Sequence, residues 1–360
     1  TFAAAWARRA VAYGTLYANS VPDPDAAAIA LASAERARAL APDRPDGYNA
    51  LSNYYQAIRH DGARSLEQAE LGLKLAPKDS DLLVRAALAR MTLGQWEAAI
   101  DVLRRSQATD PRSVMTPFRL ARALLWLRRY DESLRASEQG LRLAPGHLGL
   151  VDIRAMTFAA RGDLEGAREV IRQGAAHGDP PALFAYMAQY YDMFWLLDES
   201  QRNLLYRLPQ SQFDDNPASR GLALAGAYTL DRDRARARAF ADTARAALEA
   251  QIRDNPDDAQ LHVLRGIALA YLGRKADAIL EGRRGAAMIP PSRHALTGPY
   301  LQHQLARIYI LVGEPDQALD QLEPLLTMPY FLSPGWLGVD PTFESLRAHP
   351  RFQRLLETSP

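Results

Sequence analysis

Proline recurs along this chain at a nearly constant interval. Pro42, Pro77, Pro111 and Pro145 are separated by 35, 34 and 34 residues, and three of them close the tripeptide Leu-Ala-Pro. Proline does not continue a helix, and a period near 34 residues is typical of stacked helix–turn–helix repeats. The interval therefore restricts the fold to an α-helical repeat array.

The same rhythm continues along the rest of the chain with more variation. We predict an all-α, right-handed α-solenoid of about nine helix–turn–helix repeats over residues 1–329, followed by a C-terminal capping segment at 330–360. Because a solenoid grows by stacking, a long chain can stay one continuous body. The repeats are expected to end near residues 42, 77, 111, 145, 181, 217, 256, 290 and 329.

Small residues and glycine turns support this division. Ala99, Gly266 and Ala278 stand at positions where paired helices must approach closely. Glycine after Leu or Val at 94, 273 and 313 supplies a left-handed cap between the two helices of a repeat. The pattern is weakest in the first repeat, where we expect a connection at 18–28 with Pro22 and Pro24. It is also weak in the sixth, where 208–217 predicts a surface loop.

Together these features resemble the tetratricopeptide repeat. The resemblance is clearest in Leu-Gly-Gln-Trp-Glu-Ala-Ala-Ile (93–100), Leu-Gly-Arg-Lys-Ala-Asp-Ala-Ile (272–279) and Val-Gly-Glu-Pro-Asp-Gln-Ala-Leu (312–319). It implies that the first helix of each repeat lines a groove for a protein or peptide partner.

The inward positions of that family, carried onto this sequence, give the candidate ligand-binding residues Asn49, Asn53, Arg85, Arg119 and Arg122. Amides and guanidinium groups form strong hydrogen bonds to carboxylates. These five residues also resemble those with which some tetratricopeptide-repeat proteins hold a peptide's C-terminal carboxylate. The alternative interpretation is a solvated polar groove for an unknown ligand.

The C-terminal sequence carries a second resemblance. Residues 329–352, with 298–309 before them, are similar to the repeat regions of bacterial multidomain signalling proteins of the Ser/Thr kinase or cyclase type. This implies a sensor or docking role and an extracytoplasmic location, periplasmic or secreted, with the cytoplasm as the alternative.

The chain opens at Thr1, which suggests a piece of a longer protein or a mature secreted chain. The apolar side chains of 330–360 predict the cap.

Composition and motifs argue against several other functions. The formal net charge is +1, from 43 basic and 42 acidic residues. The chain therefore lacks the excess of positive charge that is typical of nucleic-acid-binding proteins. No apolar run approaches the roughly 18–20 residues of a membrane helix, so we expect no membrane insertion. Cysteine is absent, and no phosphate-binding, nucleophile or metal motif occurs. We therefore predict a non-enzymatic protein without cofactor or metal.

The seven histidines of the chain are never three or four residues apart, and we expect them at helix ends or in solvent.

Two local clusters have alternative interpretations. The acidic run at 254–258 predicts a helix N-cap rather than a calcium loop, because it lacks the regular ligand spacing. A dense aromatic group predicts a core stripe on one helix, with an exposed ligand-anchoring patch as the alternative. Its members are Phe184, Tyr186, Tyr190, Tyr191, Phe194 and Trp195.

Three classes of function remain open from the sequence. The first is a protein- or peptide-binding scaffold. The second is a structural subunit that self-associates end to end into a filament, because repeats present related faces at both ends. The third is an enzyme whose active residues are too scattered to recognise.

Overall fold

The computed structural model describes residues 2–19, 23–190 and 192–357. Over these residues the chain is helical and contains no β-strand, and its helices follow one another in pairs. The predicted all-α array of about nine pairs is confirmed. The first five pairs are α1 Phe2–Asn19 and α2 Pro24–Leu40, α3 Asp46–Ala57 and α4 Gly62–Leu75, α5 Ser80–Thr92 and α6 Trp96–Thr109, α7 Met115–Trp126 and α8 Tyr130–Leu143, α9 Leu148–Ala160 and α10 Leu164–His177.

The sixth pair is irregular, as its weak pattern indicated, and short 3₁₀ helices at Met193–Leu196 and Gln210–Phe213 interrupt it. The predicted surface loop at 208–217 is therefore partly helical, with Phe213 buried. The remaining helices are α11 Pro180–Gln189, α12 Glu199–Leu205, α13 Pro217–Leu230, α14 Arg234–Asp254, α15 Ala259–Tyr271, α16 Lys275–Met288, α17 Thr297–Leu311, α18 Pro315–Thr327, α19 Pro334–Val339 and α20 Pro350–Glu357.

The chain divides into two compact units. The N-terminal unit contains the residues up to Ala123 together with Arg293–Leu296. In it, α3 contacts both α1 and α5, and each of the three helices also packs on the helix that follows it. The interface among α1, α2 and α3 is built mainly from buried alanines with Leu51, so the helix axes approach closely. The backbone N–H of Ala295 donates to the Thr92 carbonyl at 2.9 Å.

The C-terminal unit contains Leu124–Ser292 and the residues from Thr297 onward. Its helices stack in chain order from α8 to α18, except that α13 packs on α11 and α12 lies beside α11. After α18 the chain packs back on the last pair: a 3₁₀ helix at Pro341–Leu346 contacts α17, and α20 contacts α18. In addition α19 contacts α9, a long-range contact that the repeat pattern did not indicate.

The turns between paired helices use a left-handed residue. Gly94, Gly273 and Gly313 have φ of 74°, 79° and 76°, which confirms the predicted caps. The corresponding turns of the fourth and seventh pairs carry Arg128 and Arg232, with φ of 58° and 63°. A residue with a Cβ is strained by about 1–2 kcal/mol in this conformation.

Aspartates cap the N-termini of eight of the described α-helices. The side chain of Asp258 accepts from the backbone N–H of Gln260 and Leu261 at the start of α15, which confirms an N-cap at the acidic run. Asp23 caps α2 in the same way. Because a proline fits the first position of a helix, α2 begins at Pro24 and the connection is shorter than the predicted 18–28. Pro22 lies outside the described residues.

The aromatic group is core, as predicted, but it does not lie on one helix. Phe184 belongs to α11, whereas Phe194 and Trp195 belong to the 3₁₀ helix that follows it. All three are buried, and Tyr186 and Tyr190 are half-buried. The helix ends at Gln189 because the next residue, Tyr190, leaves the helical conformation with φ of −96° and ψ of 43°. Tyr191 lies outside the described residues.

The expectation that the histidines lie at helix ends or in solvent is wrong for His262, His294 and His303, which are buried. His262 contacts acceptors with both ring nitrogens: Nδ1 lies 2.7 Å from Glu281 Oε2 and Nε2 lies 2.9 Å from the Pro256 carbonyl oxygen. Tertiary partners, which local spacing does not reveal, stabilise such a residue inside the fold. Among the described helices, none is both long and apolar enough to cross a membrane.

The small-residue positions can be tested on α16 with one substitution at two sites. Ala278 is fully buried, whereas Ala276, two residues earlier, is exposed. We expect Ala278→Leu to overpack the helix contact and to lower the free energy of unfolding by about 1–3 kcal/mol. Ala276→Leu should change it by less than about 0.5 kcal/mol. Equal denaturant midpoints for the two variants would contradict the assigned register.

Candidate functional site

Polar side chains connect the first helices of the second and third pairs. Asn49, Asn53 and Gln56 are spaced four and three residues apart on α3, so they share one helical face. Arg85 and Thr92, seven residues apart on α5, lie against that face. This row of side chains is named the polar ladder below.

Arg85 makes the central contacts of the polar ladder. Its Nε donates to Asn49 Oδ1 at 3.2 Å. With the Asn53 amide turned so that its oxygen faces the guanidinium group, this oxygen accepts from the two terminal nitrogens at 2.7 and 3.2 Å. The three predicted residues Asn49, Asn53 and Arg85 are therefore brought together, in a geometry that the hydrogen-bond pattern itself selects.

Close backbone approach holds Asn53 in place. Asn53 is buried, and a Cβ added at Gly14 of α1 would lie 2.3 Å from the terminal amide atom of Asn53 that faces α1. A side chain at position 14 would therefore displace the amide. Three successive first helices, α1, α3 and α5, thus meet at one asparagine.

The charge of Arg85 is held by neutral groups. Both of its hydrogen-bond acceptors are amide oxygens, and within the described residues it forms no ion pair. Desolvation lowers the pKa of the Arg85 guanidinium, while the charge of Asp81 on the same helix opposes this effect. Because burial disfavours the charged form, a carboxylate placed beside Arg85 would compensate for its lost hydration.

Two members of the polar ladder were not among the predicted residues. Gln56 Nε2 donates to Thr92 Oγ1 at 2.9 Å. This contact lies closer to the C-terminal ends of α3 and α5 than the contacts of Arg85. Position 56 follows Asn49 by seven residues, and position 92 follows Arg85 by seven. Helical periodicity applied to the predicted residues would have found both.

The other predicted residues form a second cluster on α7. The guanidinium carbons of Arg119 and Arg122 lie 5.0 and 5.9 Å from the centre of the Phe118 ring. All three side chains are half-buried. Cation–π contact favours this geometry. Ser106 and Thr116 hydroxyls, 3.0 Å apart, connect α6 to the start of α7.

The arrangement offers two kinds of contact on one compact unit. The polar ladder presents amides and a guanidinium group held without a carboxylate, and the α7 cluster presents two further guanidinium groups with an aromatic ring. Such groups bind carboxylates and peptide backbone by hydrogen bonding.

Comparison with known proteins gives structural matches only. No family profile matches the chain, and no curated protein matches it. One solved structure, YrrB, described as a TPR protein with an unusual peptide-binding site, shares 18% identity over 46% of this chain and 84% of its own, with a TM-score of 0.35. MamA shares 15% over 42% of this chain and 89% of its own, with a TM-score of 0.38.

A third solved structure is PilF from Pseudomonas aeruginosa. It is 15% identical over 60% of this chain and 98% of its own length, with a TM-score of 0.42. Similarities of this extent give no information on a ligand of the present chain.

Proposed function

We propose that the protein is a binding scaffold and that its N-terminal unit holds a peptide by a carboxylate, the C-terminal carboxylate of the peptide being the fitting group. The observation that supports this function is the environment of Arg85. Its guanidinium group is desolvated and rests on the amide oxygens of Asn49 and Asn53, at 3.2 Å and at 2.7 and 3.2 Å. A carboxylate would supply the missing counter-charge.

The α7 cluster supplies the second part of the proposed site. Neighbouring helices in such a stack lie about 10 Å apart, and an extended peptide advances about 3.3 Å per residue. A peptide of several residues can therefore reach from the polar ladder to Arg119 and Arg122. Because the guanidinium groups there are half-exposed, each contact is weakened by salt. We expect micromolar, salt-sensitive affinity.

The test begins with a peptide library whose members carry free C-terminal carboxylates, with a matched library of C-terminal amides. For the selected peptide, the double substitution Arg119→Ala with Arg122→Ala should weaken binding at least tenfold, equivalent to about 1.4 kcal/mol. Amidation of the peptide should have an effect of the same size. Fluorescence titrations at two salt concentrations and a circular dichroism spectrum of each variant give the readout.

The matched control removes two arginines from another helix of the same unit. Arg104 and Arg105 on α6 are exposed, so Arg104→Ala with Arg105→Ala should leave the affinity within a factor of two. Arg85→Gln should weaken binding while keeping a donor toward Asn49, whereas Arg105→Gln should not. Equal affinities across all four variants, or a peptide that maps to α6, would exclude the proposed site.

The wider context is also a proposal. We infer that this scaffold is the docking or sensor region of a larger bacterial signalling protein and works outside the cytoplasm. The similarity of residues 298–309 and 329–352 to such proteins supports this. Sequencing the full reading frame, with fractionation of the native host, would test it. A frame with no output domain and a cytoplasmic product would contradict it.

A further inference from the structure

The segment after α18 lies in a groove formed by earlier repeats of the C-terminal unit. The groove is lined by Trp126, Arg128, Ala160, Gly162, Trp195 and His303, and is named the tail groove below. Residues 328–333, which enter it, form no helix. Tyr330, Phe331 and Trp336 inside it are at most 1% exposed.

Arg128 binds the backbone of the entering segment. Its terminal nitrogens donate to the carbonyl oxygens of Met328 and Leu332 in that segment at 3.1 and 3.0 Å, and to that of Leu325 in the last turn of α18 at 3.3 Å. Carbonyl oxygens are common to every peptide, so these bonds recognise an extended or turning backbone and not a side chain. Arg128 makes them from a left-handed conformation, with φ of 58°, which the surrounding contacts must stabilise.

The end of α9 recognises the next part of the segment. Ser333 Oγ donates to the Ala160 carbonyl at 2.5 Å, which satisfies an acceptor at the C-terminus of a helix. A Cβ added at Gly335 would lie 2.6 Å from the Ala160 carbonyl oxygen and 2.7 Å from the Gly162 nitrogen. Position 335 therefore accepts glycine only.

Aromatic rings provide the remaining recognition. The Trp336 ring meets Trp195 edge to face at 5.7 Å between centroids, and Tyr330 and Phe331 meet Trp126 at 6.0 and 5.6 Å. His303 Nδ1 lies 3.2 Å from the Tyr330 hydroxyl. The groove thus selects two adjacent aromatic residues, a serine, a glycine and a tryptophan in fixed order.

We propose that residues 328–340 are a peptide ligand bound in cis, and that the tail groove takes the same segment in trans from a second copy of the chain. Backbone recognition by Arg128, side-chain pockets at fixed positions and a non-helical entry segment are the features of a bound peptide. Exchange of such an element between copies is a common route to dimers. This inference concerns the C-terminal unit alone, so its outcome is independent of the function proposed for the N-terminal unit.

The experiment uses the full chain with a protease site inserted after Thr327, an exposed residue. After cleavage, the fragment that begins at Met328 should stay with the body on size exclusion, and the helical content should be unchanged. A fluorescent peptide of residues 328–357 should then exchange into the nicked protein. Unfolding on cleavage, or a body that does not take up the peptide, would overturn the proposal.

Paired variants make the result specific. A labelled peptide with Gly335→Ala should be taken up at least tenfold less than one with Gly338→Ala, because no atom lies within 4 Å of a Cβ at position 338. In the body, Arg128→Gly should reduce uptake at least tenfold. Arg232→Gly, the same change at an exposed turn with the same backbone, should leave uptake unchanged. Equal uptake within either pair would show nonspecific association and overturn the proposal.

Discussion

Gly335→Ala is expected to destabilise the C-terminal unit by about 2–3 kcal/mol, at the upper part of the range for overpacking. The three atoms nearest to the added methyl group are the Ala160 carbonyl oxygen, the Gly162 nitrogen and the Arg161 carbonyl carbon, at 2.6, 2.7 and 2.8 Å. All are backbone atoms, so they cannot rotate away as a side chain would. Relief requires α19 to move off α9.

Gly338→Ala is the matched control on the same short helix. Its methyl group would meet nothing within 4 Å, and alanine is the better helix former by about 1 kcal/mol. We expect its melting temperature to equal or exceed that of the wild type. Differential scanning calorimetry of both variants, with tryptophan fluorescence to follow Trp336, gives the comparison. Similar melting of both proteins would mean that the close approach of α19 to α9 does not exist in solution.

Acid is expected to release the tail through His303. Burial, with the charge of Arg307 as a second cause, lowers the pKa of His303 to about 3. The unfolded chain binds this proton near pH 6.5, so between about pH 6.5 and 3 the unfolded state holds more protons. Stability is complete above that window and falls with decreasing pH, by at most about 1.4 kcal/mol per pH unit.

The variant His303→Gln isolates this effect, because an amide does not titrate and can still bond to the Tyr330 hydroxyl. Its unfolding free energy should depend less steeply on pH than that of the wild type between about pH 6.5 and 3. Burial raises the pKa of Asp152 and of Asp340, which acts in the opposite direction, so the comparison must be between variant and wild type.

Chemical denaturation at half-unit pH intervals measures the difference. His177→Gln, at the exposed end of α10, is the control for the substitution itself. Superimposable pH profiles for His303→Gln and wild type would mean that the ring is not buried in its neutral form.

The division into helix pairs was predictable because residues close in sequence determine where each helix begins and ends. Prolines stop helices, and glycines at 94, 273 and 313 set the turns, so the pairing could be deduced without knowledge of any contact. The polar ladder was also within reach, because Asn49 and Arg85 stand 36 residues apart, close to one repeat period. Because each repeat stacks on the next, residues at equivalent positions of adjacent repeats lie side by side.

The tail groove and the buried histidines were not predictable in this way. Arg128 and Leu332 are 204 residues apart, and no periodicity connects them. His262 on α15 is stabilised by Glu281 on α16 and by the Pro256 carbonyl before α15. Such contacts depend on where the stacked helices finally lie, and a single residue pattern carries no signal for them.

The contact between α19 and α9 has a consequence for synthesis of the protein. A ribosome adds about 5–20 residues per second, so the 141 residues that separate Trp336 from Trp195 take roughly seven to thirty seconds. During that interval the partners of Trp336 and Phe331 lie without their cover, although the repeats around them can already stack pair by pair. Tryptophan side chains of the nascent C-terminal unit therefore stay exposed until the tail is synthesised. During this time a chaperone or a neighbouring nascent chain can bind them.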